Sequence, residues 1–186
     1  MLNLIFFNML KNYSYIIYML IIKKYNRNLS VDYALKFAVT RNGEYHDYTN
    51  EGGNCTNYVS QCLYAGASVM NYDINGWYYL SPQNTSVSWA NVEPLYQFIT
   101  NNKGVGIFGV NAPLEMCGKG DIIQLKFKNK NVFSHCLFVT KIKEPTPKQI
   151  YVCANTRDVK EVPLSFYTYE KYRLIHILGY RENVGS

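Results

Sequence analysis

Apolar positions recur along this chain with two different periods, and the change of period divides it. In the first half they fall three and four residues apart, the spacing of an amphipathic helix. Val31, Ala34, Leu35 and Ala38 share one face behind a Ser30 cap, with Asp32 in the first turn, and this predicted helix ends near Asn42-Gly43. A second begins at Cys55 behind an Asn54 cap, because Val59, Cys62 and Leu63 repeat on its face; Gly66 is placed to end it in a left-handed conformation. Met70 to Ser88 reads as a long loop carrying Trp77, Tyr78 and Tyr79. A third helix runs from an Asn91 cap to Lys103-Gly104. Pro94 sits in its first turn, where a missing N–H costs little, and Leu95, Phe98 and Ile99 face inward.

From Gly120 onward the period is two. Ile123, Leu125 and Phe127 alternate with Gln124, Lys126 and Lys128, the pattern of a half-buried strand. His135–Ile142, Gln149–Asn155 and Arg173–Tyr180 read as further strands, and Pro145-Thr146-Pro147 marks a turn. Helices followed by consecutive strands indicate an α+β domain with an antiparallel sheet. No repeat or low-complexity linker interrupts residues 25–186, which are assigned to one domain. Residues 1–24 are set apart as an apolar leader. Their run from Tyr13 to Ile22 is short for a membrane span, and they lack a basic start and a small-residue cleavage site. A membrane anchor, a poor signal sequence and a mis-assigned start, with Met9 and Met19 as alternatives, all remain open. Membrane contact is therefore expected through this leader or not at all.

Composition narrows the class. Hydrophobic residues make up 48% and charged ones 17%, which excludes a disordered chain. The formal charge of +6 favours polyanionic surroundings, yet no Lys/Arg cluster forms a groove-reading surface, so no nucleic-acid partner is expected. Five cysteines, at 55, 62, 117, 136 and 153, form neither a CxxC pair nor a zinc spacing. Free thiols are expected, with no metal, no cofactor and a monomeric chain.

The chemistry gathers around Cys55. A thiol at a helix N-terminus has its thiolate favoured by the helix dipole, and the thiolate is the nucleophile. Gly52 and Gly53 let the backbone pass close to a ligand with no Cβ in the way. His135 opens one strand and Asn155 closes the next, so a hairpin of the two would bring them together. An imidazole to activate sulfur and a polar group to orient the imidazole are what nucleophilic thiol chemistry needs. His46 reads as a surface loop residue and His176 as a packing residue. Tyr48 or Tyr45 is a further candidate donor near the thiol, and Asp158 is a rival to Asn155.

The blocks GGNCTNYVSQCLYAG, Trp77-Tyr78-Tyr79, Ser88-Trp89, GDIIQ and SHCLFVT resemble, in this order from about Tyr25 to Ser165, the bacterial putative amidase domain family. That family belongs to the papain-like, NlpC-like cysteine hydrolases. The resemblance implies a papain-like core with N-terminal helices, the nucleophile at a helix N-terminus, and an antiparallel sheet beneath. It implies a triad at Cys55, His135 and Asn155, with Gly53, Asn54, Tyr48, Trp77, Tyr78 and Trp89 toward the substrate. This chain has Asn54 where the family commonly has Asp, and Asn155 where it often has His. The implied activity is cleavage of an amide in peptide or peptidoglycan-like substrates by a secreted or envelope-associated protein, or a cytoplasmic one if the start is mis-assigned. An acyltransferase or transglutaminase-like enzyme with the same triad, and a non-catalytic wall-binding module, are the alternatives.

Overall fold

The computed structural model describes residues 19–184. In chain order they form β1 (Leu20–Lys23), α1 (Arg27–Phe37), α2 (Cys55–Ala67), β2 (Tyr79–Ser81), β3 (Asn84–Thr85), α3 (Val87–Ala90) and α4 (Val92–Asn101). Then follow β4 (Gly106–Ala112), β5 (Ile122–Lys126), β6 (His135–Ile142), β7 (Ile150–Ala154), β8 (Val159–Pro163) and β9 (Lys171–Asn183). The main sheet runs β1-β9-β5-β6-β7-β8, with β4 on the other edge of β9. All its pairings are antiparallel, so the domain is α+β with an antiparallel sheet. The long β9 organises it: Arg181 pairs with Gly106 on one side and with Ile22 on the other.

Strand alternation sends side chains into two cores. Ile122, Cys136, Phe138, Cys153 and Ile175 face the helices, where they meet Tyr58, Val59, Cys62 and Leu63 of α2. Ile123, Leu125, Leu137, Val139, Val152 and Leu174 face the other way, beneath the 3-10 turns Leu114–Met116 and Leu164–Phe166. The 123–128 segment is therefore not half-buried as its alternation suggests. Residues 122–125 are buried, since a central strand is covered on both faces. Gln124 is tolerated there because its Nε2 donates to the Val92 carbonyl at 2.8 Å and its Oε1 accepts from Arg173 Nε at 2.7 Å.

Two helix boundaries differ from the expected ones for identifiable reasons. α1 starts at Arg27 because Asn26, not Ser30, caps it: Asn26 Oδ1 accepts the Leu29 N–H at 3.2 Å. Ser30 is buried inside the helix instead, and the helix stops at Phe37, short of Asn42-Gly43. Gly66 does not end α2. A Cβ at that position would strike Ser30 Oγ and would lie 2.7 Å from the Asn26 carbonyl, so this glycine serves the close crossing of α1 over α2. The left-handed cap falls to Ser68 at φ 55°, whose N–H bonds the Tyr64 carbonyl.

Residues 20–23 of the segment set apart as a leader pair with Tyr180–Asn183 as an edge strand. The anchor and signal readings fall on residues 1–24, of which 1–18 lie outside the described residues. Among the described residues no helix is long and apolar enough to cross a membrane.

Candidate active site

The start of α2 is held from several directions at once, and Asn54 is where the restraints meet. Asn54 Oδ1 accepts from the Tyr48 N–H at 3.1 Å and from Asn57 Nδ2 at 2.8 Å. Its Nδ2 donates to Asn155 Oδ1 at 3.1 Å, and its backbone N–H donates to Thr156 Oγ1 at 2.6 Å. With its side chain so engaged, Asn54 makes no cap bond to the helix, and the first-turn N–H groups are left for other acceptors. Gly52 and Gly53 supply positive φ angles of 106° and 113° that turn the chain into this position. The close approach at Gly53 is to the protein itself: a Cβ there would lie 3.2 Å from Thr156 Oγ1.

Cys55 follows as the first helical residue, and only 7% of it is exposed. Burial pushes its thiol up from the ordinary value, while the Thr56 hydroxyl and the backbone N–H groups of Cys136, Thr56 and Cys55 itself act in favour of the thiolate. Burial is the largest of these influences, so the resting group is the neutral thiol. The Cys136 N–H that acts on the sulfur belongs to the residue after His135 in β6.

His135 opens β6 opposite Leu125. Its ring is 5.6 Å from that of Tyr167 and 6.2 Å from that of Phe127, centroid to centroid. Burial, helped by the charge of Arg157, lowers its pKa to about 4, so the imidazole is neutral at pH 7. The Cys55 thiol and the His135 imidazole are thus both uncharged at neutral pH.

Asn155 is brought to the same end of the sheet, but its hydrogen bonds go elsewhere than to His135. Its Oδ1 takes the Asn54 amide, and its Nδ2 donates to the Phe37 and Ala38 carbonyls at 3.3 and 2.8 Å. It ties the end of α1 to the chain entering α2. Asp158 is occupied by Arg41, at 3.0 Å. Tyr48 contributes its backbone N–H to Asn54, and its ring packs edge-on against His46. Tyr45 packs on Tyr79 and Trp89 rather than toward the thiol.

The aromatic candidates divide. Trp77 and Trp89 are fully buried, with Trp77 Nε1 donating to Ser60 Oγ and Trp89 Nε1 donating to Asn57 Oδ1. A buried indole offers no surface to a substrate; both brace the inner face of α2. Tyr78 is half-buried and stacks on Tyr72. A groove between the 71–76 turn and α4, lined by both polar residues such as Asn71 and Gln97 and apolar ones such as Ile74 and Phe98, touches none of Cys55, His135 and Asn155. Among the described residues no cluster of three His, Cys, Asp or Glu side chains could hold a metal, and all five cysteines are free. His176, expected as a packing residue, pairs through Nδ1 with buried Asp121 at 2.7 Å, where Arg27 also binds.

Two neighbours of these residues carried no sequence signal. The Cys136 N–H is a backbone group, and Tyr167 is one of 18 tyrosines in a segment without periodicity.

Comparison with known proteins places this chain in a family. A family model described as a putative amidase domain matches residues 24–178. The uncharacterized protein YhbB of Bacillus subtilis (strain 168) is 30% identical over 169 residues, covering 83% of this chain and 51% of its own length. The chain therefore spans about half of that relative. No solved structure matches it.

Proposed function

The chain belongs to the putative amidase domain family, and we propose that it is a cysteine-dependent amidohydrolase or peptidase with Cys55 as nucleophile and His135 as base. The observation that carries this reading is the seat of Cys55: the first residue of α2, buried, with its sulfur influenced by the backbone N–H of Cys136, the residue that follows His135 in β6. The neutral resting pair makes His135 a general base in the attack rather than one half of a standing ion pair. It takes the thiol proton as sulfur closes on the amide carbonyl, then returns it to the departing amine. The Cys55 backbone N–H, at the positive end of the helix, donates to the oxyanion. Water then releases the acyl group by the same route in reverse. Asn155 serves by holding Asn54, and with it the entry to α2.

The proposed substrate is an amide in bacterial cell-wall peptide, and the charge of +6 suits an anionic envelope. Amine release from purified wall peptides tests the reading. Cys55→Ala and His135→Ala should each abolish turnover to a comparable extent, because such groups act as a unit. A Cys55→Ala protein that keeps its activity would refute it. The same assay with an added amine separates hydrolysis from acyl transfer.

A further inference from the structure

Tyr167 follows the 3-10 turn Leu164–Phe166, which Leu164 anchors in the second core. Its ring lies on His135, and its hydroxyl is buried with no hydrogen-bond partner. An orphaned buried hydroxyl is destabilising, and native proteins retain few of them. Removing that cost would need only a phenylalanine. The surroundings of the hydroxyl explain why it stays: burial raises its pKa, and the sulfurs of Cys55 and Cys153 raise it further. Tyr167 therefore keeps its proton throughout the reaction and is always a donor.

Resting on the thiol-hydrolase reading above, we infer that Tyr167 is a further polar member of the site, its unspent O–H held for the negative charge that appears beside His135 when Cys55 gives up its proton. In the resting state it has no hydrogen-bond partner. When the S–H proton passes to His135, the thiolate becomes the strongest acceptor nearby, and a charge-assisted bond from Tyr167 stabilises it. Tyr167 neither gains nor loses a proton. The proton moves from Cys55 to His135, and on to the leaving amine as the S–C bond forms and the C–N bond breaks. The charged and titratable groups bearing on the pair are Arg157 at His135, Cys136 at Cys55, and Cys153 at Tyr167.

Iodoacetamide reacts with the thiolate, so its rate against pH reads the charge state of Cys55 without needing the substrate. The full chain is alkylated from pH 6 upward through the midpoints of both profiles, with Cys55 followed by peptide mass. Tyr167→Phe keeps the ring on His135 and removes only the donor. The midpoint of the profile should rise by about one unit and the rate at pH 7 should fall about tenfold, the rough scale of one hydrogen bond to a charged group. The same variant should melt no lower than wild type, because the group removed had no partner. A Tyr167→Phe profile that superimposes on the wild-type one overturns the inference. The underlying reading is judged separately by turnover of wall peptides, where a Cys55→Ala protein that keeps its activity would refute the nucleophile itself.

Discussion

Replacing Asn155 by Ala separates two roles that the same residue could play. If Asn155 oriented the imidazole, the change would cost turnover and little else. In the structure its amide is 2% exposed and spent entirely on other groups: one bond from Asn54, one to Phe37 and one to Ala38. Truncation strands the Asn54 amide and the Ala38 carbonyl, with the longer Phe37 bond a lesser loss. Each buried group left without a partner costs about 1–3 kcal/mol, so the variant should lose about 2–5 kcal/mol of stability. For a chain of this size that is a fall of roughly 4–20 °C in melting temperature. Activity should fall as well, because Asn54 is released and the start of α2 with it. Urea unfolding of wild type, Asn155→Ala, Asn54→Ala and the double variant closes a cycle, and the two single losses should not add. His at 155, the residue often found there in the family, cannot donate to two carbonyls while accepting from Asn54, so it should also destabilise this chain. A variant within 0.5 kcal/mol of wild type but strongly impaired in turnover would refute the structural reading and return Asn155 to His135.

Three further outcomes follow from other parts of the molecule. His135 has a folded pKa near 4 against an ordinary 6.5, so below pH 6.5 the unfolded chain takes up a proton that the folded one refuses; stability should drop by about 3 kcal/mol between pH 6.5 and pH 4, and urea titrations should show a smaller drop for His135→Gln. Gly66→Ala should destabilise the fold despite the better helix propensity of Ala, because the new methyl meets the Asn26 carbonyl and Ser30; a thermal melt at or above wild type would contradict the close crossing. Trp89→Ala should cost about 3–5 kcal/mol in urea unfolding, whereas a substrate-binding role would instead raise KM with little change in stability.

How much of this was legible in the sequence depends on what each feature is made of. α2 and β6 were readable because their periods are uninterrupted, and β6 begins at His135 as expected. β4 was missed because Gly106 and Gly109 break the alternation; Gly109 is required there by the His176 carbonyl of β9, a partner far along the chain. The α1 cap was misplaced because Asn26 and Ser30 are equally good cap residues in isolation. Only the packing of Ser30 against Gly66 decides between them, and that contact is made after the helices have met. In the same way Trp77 and Trp89 look alike whether they line a groove or a core. The hydroxyl of Ser60 and the amide of Asn57, both on α2, settle the matter by accepting their N–H groups.

The site itself shows a competition whose winner a sequence cannot reveal. A cysteine at an uncapped helix N-terminus suggests a low pKa, and the local N–H groups do pull that way. Whether they prevail depends on how much water the fold leaves around the sulfur, and here α2, β6 and the Asn54 clamp leave almost none. Burial raises the thiol and lowers the imidazole, so both shifts favour the uncharged pair. A neutral pair is less reactive toward stray electrophiles than a standing thiolate, since only the ionised sulfur attacks. In the proposed mechanism its charge separation is deferred to the moment when a carbonyl is in place. Such a design requires donors that are idle at rest and engaged in the transition state. The free N–H groups of the α2 N-terminus meet that requirement, and so does the unpaired hydroxyl of Tyr167.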